Sequence, residues 1–199
     1  MYEVQPFNDG STMVRRSARS REIAGLLVML ALLTASALTV SSNAGAETPE
    51  QWVQLGERIH GGFGSYIALG IRVGLDASER LHAKPRDLEV ILMEGPKSPC
   101  PCLADGLMLA TAATPGRGTL SVSPERAPWE QLAIVIVRNR ASGETLRYTI
   151  PDTMRATLDE MNKGRTPVER YNTMMAAPEE QLFVREALDQ QLPDWVFRH

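Results

Sequence analysis

The two cysteines of the 199-residue chain, Cys100 and Cys102, are separated only by Pro101. The apolar stretch after them predicts a helix over about residues 102–113. Both thiols would then lie at the start of a helix, where free backbone N–H groups and the helix dipole stabilise a thiolate. A thiolate there is a nucleophile or a soft metal ligand; the alternatives are two inert buried thiols or a disulfide. A disulfide closing so small a ring would be strained and easily reduced, and would do little to hold the fold together.

Two further side chains are candidates to act with these cysteines. Asp105 comes one turn into the same predicted helix, where a carboxylate serves as a general base, a metal ligand or a partner of the helix dipole. His60 follows a predicted helix and precedes the glycine-rich residues 61–64, which leaves its ring open to a ligand; a surface or capping histidine is the alternative. Because the glycines permit close approach, we expect His60, Cys102 and Asp105 to converge in one cleft. Cys100 would lie at its rim.

Residues 1–46 have the pattern of a signal peptide. Several arginines precede an apolar run over residues 23–40, and Ala44-Gly45-Ala46 supplies the small residues that signal peptidase recognises. Cleavage after Ala46 would release the protein into the periplasm or the medium. The alternative is an uncleaved anchor that leaves the domain facing the periplasm, because the run approaches the length of a membrane span. We therefore expect membrane contact only through this segment, if it is not removed.

The charge of the chain argues against nucleic acid as a partner. Removing residues 1–46 takes away four of the 21 Lys and Arg and three of the 24 Asp and Glu, which leaves 17 basic residues against 21 acidic and a net charge of −4. An acidic chain with no basic stripe lacks the electrostatic footprint of a nucleic-acid-binding protein.

The rest of the sequence predicts one α+β domain over residues 47–151 and a C-terminal helical extension over residues 152–199, packed on the same domain. The expected order is helices, strand, helix and then three strands of a mixed sheet. The predicted helices before the extension are residues 48–59, 67–81 and 102–113, and the predicted strands are residues 88–93, 118–122, 132–137 and 144–150. The run 132–137 is continuous and rich in β-branched residues, as expected of a central strand covered on both faces. The alternating run 144–150 is predicted to be half exposed.

The extension is predicted to be helical over residues 152–162, 167–175 and 178–192. Its helices carry several large apolar side chains: Met154, Met161, Met174, Met175 and Phe183. Methionine-rich surfaces adapt well to partners, which favours a homodimer. The alternative is that these side chains complete the core of the monomer.

Two segments resemble motifs of the FmdE family, which takes its name from a subunit of formylmethanofuran dehydrogenase. The family pattern H-G-H-x-C-P-G followed by an apolar x-x-x-G lies over His60 to Gly70. The second pattern, roughly C-x-x-D-A-I-Q-x-x-T-G-C-T-x-G-K-G-x-L, is matched at Cys102, Asp105, Thr111, Thr114, Gly116, Gly118 and Leu120. The resemblance covers about residues 52–150. It implies the same helix-strand-helix-three-strand fold and a homodimer.

The chain departs from the family at several ligand positions. Gly62 replaces the second histidine, Gly64 and Ala113 replace two cysteines, and Met108 replaces a glutamine, whereas Cys100 is an addition. The remaining set of His60, Cys102 and Asp105, with Cys100 as a possible fourth member, is a candidate site for a transition metal such as zinc. The same set is also what a degenerate site would retain.

The resemblance implies the formylmethanofuran reaction, in which a molybdenum or tungsten enzyme interconverts carbon dioxide and a formyl carrier. Predicted export and the lack of cluster motifs argue against that activity here. The favoured hypothesis is a periplasmic accessory protein that binds a metal ion or small ligand. The alternatives are a thiol redox protein that uses Cys100 and Cys102, and a scaffold with a degenerate site.

Overall fold

The computed structural model describes residues 47–84 and 86–189. The signal peptide and cleavage site predicted within residues 1–46 lie outside these ranges. The helices are α1 (Pro49–His60), α2 (Ser65–Arg80), α3 (Cys102–Thr111), α4 (Met154–Asn162), α5 (Pro167–Ala176) and α6 (Glu179–Leu182), with a 3-10 turn at Pro115–Arg117. The strands are β1 (Leu88–Glu94), β2 (Leu120–Val122), β3 (Gln131–Asn139), β4 (Thr145–Pro151) and β5 (Val184–Ala187). Within this part of the chain, no helix is long and apolar enough to cross a membrane.

The strands form one mixed sheet in the order β2-β1-β3-β4-β5. Strands β1 and β2 run parallel, with Val90 opposite Leu120, and every other neighbouring pair is antiparallel. On β3 the residues from Leu132 to Val135 are buried, as expected of a central strand whose two faces are covered. The predicted α+β class and the helix-strand-helix-three-strand order are confirmed.

Helix α1 begins and ends where the sequence predicts. The Thr48 side chain accepts a hydrogen bond from the backbone of Gln51, and the Gln51 side chain accepts one from the Thr48 backbone, so the first turn has a capping box followed by Pro49. The helix stops because Gly61 adopts a left-handed φ of 86° and donates its N–H to the Glu57 carbonyl at 2.8 Å. This end places His60 in the last turn of α1.

Helices α2 and α3 cross at glycines. A Cβ atom on Gly106 would lie 2.1 Å from the Ile67 carbonyl oxygen, and one on Gly70 would lie 2.3 Å from the Leu103 carbonyl oxygen. One turn further along α2, a Cβ atom on Gly74 would approach the Cβ atom of Ala110 at 2.7 Å. Because only hydrogen atoms fit between the two backbones, this crossing fixes the position of α3 and of everything at its first turn.

The segment that follows His60 is held by the C-terminal helices. The Ser65 hydroxyl donates to the Leu158 carbonyl at 2.8 Å, and the Asn162 side-chain oxygen accepts the Ser65 N–H at 3.0 Å, so α4 caps the start of α2. The Arg170 guanidinium donates to the Phe63 carbonyl at 2.9 Å. Helices α4 and α5 therefore brace the short loop between α1 and α2.

The helix predicted over residues 178–192 is wrong for the residues that the structure describes. Helix α6 ends at Leu182, and the chain then forms β5, which pairs with β4 and places Tyr148 opposite Arg185. Strand β4 is consequently an internal strand, not the half-exposed last strand that the alternating pattern predicts. Residues 190–199, the remainder of the predicted helix, lie outside the described part of the chain.

Tertiary contacts with β4 and α2 explain the strand. The Phe183 ring packs edge-on against Tyr148 with centroids 5.1 Å apart. Arg185 forms an ion pair with Asp76 at 2.8 Å, and Asp76 is only 5% exposed. The Tyr148 hydroxyl donates to the same Asp76 carboxylate at 2.8 Å. Burial, and then the negative charge of Asp76, hold the pKa of Tyr148 well above its ordinary value.

The apolar side chains of the extension belong to the core of the same chain. Met154, Met161, Met174 and Phe183 are all buried, and Met175 packs against the core cluster that they join. The observation that favoured a homodimer from these residues is therefore removed, since they fill the monomer's own interior. The homodimer itself stays a prediction.

Candidate functional site

His60 and Asp105 form a direct pair between the end of α1 and the first turn of α3. The distance from His60 Nδ1 to Asp105 Oδ2 is 2.7 Å, across 45 residues of sequence. Because an ionised carboxylate can only accept, Nδ1 carries the hydrogen and donates it. The two side chains are 34% and 31% exposed, so the pair is open to solvent on one side.

This hydrogen bond fixes the chemistry of the imidazole. With Nδ1 protonated, the lone pair of the neutral ring is on Nε2, which is then the atom that can accept a proton or coordinate a cation. A carboxylate behind a histidine in this manner orients the ring and raises its basicity as a ligand. Asp105 is thus placed as the positioning partner of His60.

Cys100 and Cys102 are joined as a disulfide. Cys102 is the first residue of α3, while Cys100 precedes the helix, so only one of them lies within its first turn. The prediction of two thiolates at the helix start is therefore wrong for the oxidised state, in which neither sulfur carries a charge. The short spacing, which the sequence interpretation treated as unfavourable for a bridge, still permits one with the Cα atoms 5.3 Å apart.

The disulfide and the His60–Asp105 pair line the same cleft, of about 370 Å³, between the end of α1, the first two turns of α3 and strand β2. The structure thus brings His60, Cys102 and Asp105 together, as the sequence predicts, and Cys100 lines the cleft with them. The remaining lining residues are Pro101, Ala104, Met108, Pro115, Leu120 and Val122. The walls are therefore mostly apolar, with the imidazole, the carboxylate and the disulfide as the reactive groups.

The sequence interpretation did not single out these apolar lining residues. Pro101, Ala104, Asp105 and Met108 follow one another at spacings of three, one and three, which is one face of a helix. Buried residues at Leu103 and Leu107 define the opposite face. That periodicity is a signal that could have identified Ala104 and Met108 as neighbours of Asp105.

The donor atoms fit a metal ion only under one condition. Across residues 47–84 and 86–189, no group of three His, Cys, Asp or Glu side chains is arranged to hold a metal. In the cleft both sulfurs are tied up in the disulfide, and one Asp105 oxygen is occupied by His60. Reduction would release two thiolates beside His60, giving nitrogen and sulfur donors of the kind that zinc prefers. The assignment of His60, Cys102 and Asp105 as metal ligands stays a prediction.

The loop after α3 closes one side of the cleft and is braced by an arginine. Arg117 donates to the Ala112 carbonyl at 2.9 Å and to the Arg86 carbonyl at 3.0 Å. These two bonds hold the 3-10 turn, whose first residue, Pro115, reaches the cleft. Arg117 thus has a structural role in the loop.

A family model described as "FmdE, Molybdenum formylmethanofuran dehydrogenase operon" matches residues 59–190, which is more than half of the chain and includes every residue of the candidate site. Among solved structures, the chain is similar to a tungsten formylmethanofuran dehydrogenase FmdE-like protein from Syntrophus aciditrophicus. The two are 19% identical, the match covers 77% of each chain, and the TM-score is 0.48. No curated protein matches the chain.

Proposed function

The chain belongs to the FmdE family, and we propose that it is an exported accessory protein that binds a transition-metal ion or another small ligand in the cleft beside His60. It is not itself a formylmethanofuran dehydrogenase. The family match reaches residue 190, beyond the segment that the sequence motifs cover, so the helical extension belongs to the matched region as well.

The hydrogen bond from His60 Nδ1 to Asp105 Oδ2 is the observation that carries the proposal. It leaves Nε2 of a half-exposed imidazole as the atom available to a ligand, in a cleft that also contains both sulfur atoms. Reduction of the disulfide would add Cys102 as a thiolate donor, with Cys100 beside it. A combination of imidazole and thiolate favours zinc or another soft or borderline cation.

A small organic ligand is the second candidate, and the apolar walls favour it. A cleft of about 370 Å³ is at the lower end of the range of small-molecule sites, which are mostly apolar with a few polar groups that orient the ligand. Here Met108, Leu120 and Val122 would contact an apolar body, and His60 would supply the polar contact.

Two features of the sequence support an accessory role over the dehydrogenase reaction. The arginines and apolar run of residues 1–46 are typical of export, which would separate the protein from cytoplasmic one-carbon carriers. The chain has only two cysteines, and an iron–sulfur cluster of the common type requires four. Intact-mass measurement on protein from its native host tests export: a chain beginning at Glu47 is expected, and a longer chain in the membrane fraction would indicate an anchor.

Metal analysis with and without reductant tests the binding proposal. The chain is incubated with zinc, separated from free metal, and analysed for metal content. We expect about one ion per chain after reduction and little without it. Cys102→Ser should abolish retention under both conditions. Cys100→Ser should retain the ion and no longer need reductant, because Cys102 then has no disulfide partner.

A matched control separates the site from incidental binding by histidine. His82 is exposed and remote from the lining of the cleft, and His82→Asn should bind zinc as the unchanged chain does, whereas His60→Gln should not. Absence of zinc from the reduced chain would overturn the metal proposal. Native mass spectrometry for a co-purifying small molecule would then decide the second candidate.

We also propose a homodimer, on the family resemblance alone. Light scattering on dilute protein measures the mass directly, and a monomer mass would refute the dimer without bearing on the cleft.

A further inference from the structure

We propose that the Cys100–Cys102 disulfide is a redox centre that exchanges with pairs of thiols on peptides, an activity distinct from ligand binding and independent of it. The inference comes from three observations taken together: where the disulfide lies, how its two sulfurs differ, and which groups share the cleft with it.

The disulfide is poorly placed to stabilise the fold. A disulfide stabilises mainly by closing a long loop in the unfolded chain, and this one closes a loop with only Pro101 inside it. It is also not sealed in the core: both cysteines are half-buried and line the open cleft. A disulfide that is accessible and adds little stability has the features of a reactive bond.

The two sulfurs are not equivalent. Cys102 opens α3, a helix of ten residues whose start has no side-chain cap, whereas Cys100 lies outside the helix. A thiolate on Cys102 would be stabilised by the helix start, and a better-stabilised thiolate leaves faster. Attack is therefore expected at the Cys100 sulfur, with the Cys102 sulfur as the leaving group.

The exchange balances without any other reactant. A peptide thiolate attacks Cys100 Sγ, the bond between Cys100 and Cys102 breaks, and a mixed disulfide forms while Cys102 leaves as a thiolate. A second thiolate of the same peptide then attacks the peptide sulfur of the mixed disulfide, and Cys100 leaves. The peptide loses two electrons and two protons and becomes a disulfide, and Cys100 and Cys102 end as two thiols.

His60 is the group that would carry a proton in this sequence. Its Nε2 lone pair, available because Nδ1 donates to Asp105, accepts the proton of the incoming thiol and passes it to a departing cysteine. Asp105 acts through His60 as a positioning residue. The apolar lining, including Met108, Leu120 and Val122, favours a cysteine flanked by apolar residues over a small charged thiol such as glutathione.

A single-turnover experiment tests the exchange. The oxidised chain is mixed with an equimolar peptide that carries two cysteines among leucine and valine residues, in the presence of a metal chelator. Mass spectrometry follows the peptide disulfide and the two new thiols on the chain. The chelator makes the result independent of zinc binding, so failure of one proposal does not imply failure of the other.

The reference is a short synthetic peptide with the sequence of residues 98–104, oxidised across its own two cysteines. We expect the chain to react at least about tenfold faster than this reference, and faster with the apolar dithiol than with glutathione. Equal or slower reaction than the reference would overturn the proposal, because the fold would then contribute nothing. Faster reaction with glutathione would overturn the assignment of an apolar peptide as the substrate.

Two variants test the assigned roles. His60→Gln should slow exchange by about tenfold or more without changing the midpoint of thermal unfolding, since the side chain is half exposed. Reduced Cys102→Ser, mixed with the oxidised peptide, should accumulate a mixed disulfide at Cys100, because no second cysteine is present to resolve it. An unchanged rate in His60→Gln would remove the histidine from the mechanism, and absence of the mixed disulfide would refute attack at Cys100.

Discussion

Replacing Gly106 with alanine should destabilise the protein, because the close crossing of α2 and α3 has no space for a methyl group. The added Cβ atom would lie 2.1 Å from the Ile67 carbonyl oxygen and 2.8 Å from the Gly70 Cα atom. Ordinary contact begins at 3.4 Å, so the helices must separate by about 1.3 Å, the difference from 2.1 Å. Both obstructing atoms belong to the backbone, and no rotation of a side chain can relieve the overlap.

The magnitude follows from two opposing terms. Overpacking in a well-packed core costs about 1–3 kcal/mol, and obstruction by backbone places this substitution near the upper value. Alanine in place of glycine within a helix returns about 1 kcal/mol. The net loss is then about 2 kcal/mol, and at about 2–4 °C per kcal/mol for a domain of this size the thermal midpoint should fall by about 4–8 °C.

Urea denaturation followed by circular dichroism measures the loss, with Gly62→Ala as the matched control. Gly62 is outside the crossing, its φ is not positive, and a Cβ atom there would meet nothing within 4 Å, so the free energy of unfolding should change by no more than about 0.5 kcal/mol. If Gly106→Ala unfolds at the same urea concentration as the unchanged chain, the two helices are not held together as described. A large loss in the Gly62 control would equally show that the argument from space is wrong.

Three further substitutions test other parts of the structure. Arg185→Met should cost about 2–3 kcal/mol in urea denaturation, since it leaves the buried Asp76 carboxylate without its closest cation. Arg80→Met removes a half-exposed arginine 3.6 Å from the same carboxylate and should cost less than about 1 kcal/mol, and equal losses in the two would contradict the buried pair. Thr166→Ala removes the capping box of α5 and should lower the free energy of unfolding by about 1 kcal/mol; no loss would mean that the cap is dispensable. Burial raises the pKa of Tyr66 to about 12, with Asp159 adding to the shift. The unfolded chain ionises this tyrosine near pH 10 and the folded chain does not, so stability present below pH 10 is lost between pH 10 and 12 by about 1.4 kcal/mol per pH unit. Tyr66→Phe should flatten that loss when unfolding is measured across this range, and an unchanged slope would refute the assignment.

Local signals were sufficient for most of the elements. The capping pattern at Thr48 and the glycine at position 61 set both ends of α1, and each acts within one turn of helix. The run LAIVIV could only be a buried strand, because β-branched residues are favoured there and no polar position interrupts it. Gly70 and Gly74 predicted close packing on α2, and that packing is confirmed by the crossing with α3.

The strand β5 could not be predicted, because nothing local distinguishes it from a helix. Proline and acidic residues at positions 178–180 start a helix as expected, and α6 forms there. What ends that helix is pairing with β4 and the ion pair from Arg185 to Asp76, both of which involve residues far away in the sequence.

The candidate site was predictable in its members and not in its internal bonds. The motifs and the glycines after His60 indicate which residues meet in the cleft. The hydrogen bond between His60 and Asp105 depends on where the end of α1 lies relative to α3, which is set by packing. The oxidation state of Cys100 and Cys102 depends on the conformation of a two-residue segment, which spacing alone leaves open.

The pairing of Asp76 with Arg185 has a consequence for the order of folding. The aspartate is on the second helix, and its arginine arrives 109 residues later in the chain. A nascent domain that packed α2 early would bury a carboxylate with no cation beside it, which is unfavourable until β5 is in place. We therefore expect the core to close late and cooperatively, through a contact of long sequence separation. An exported chain that folds in this way would stay extended while it is threaded through a secretion channel, and it would become compact only after residue 185 has passed.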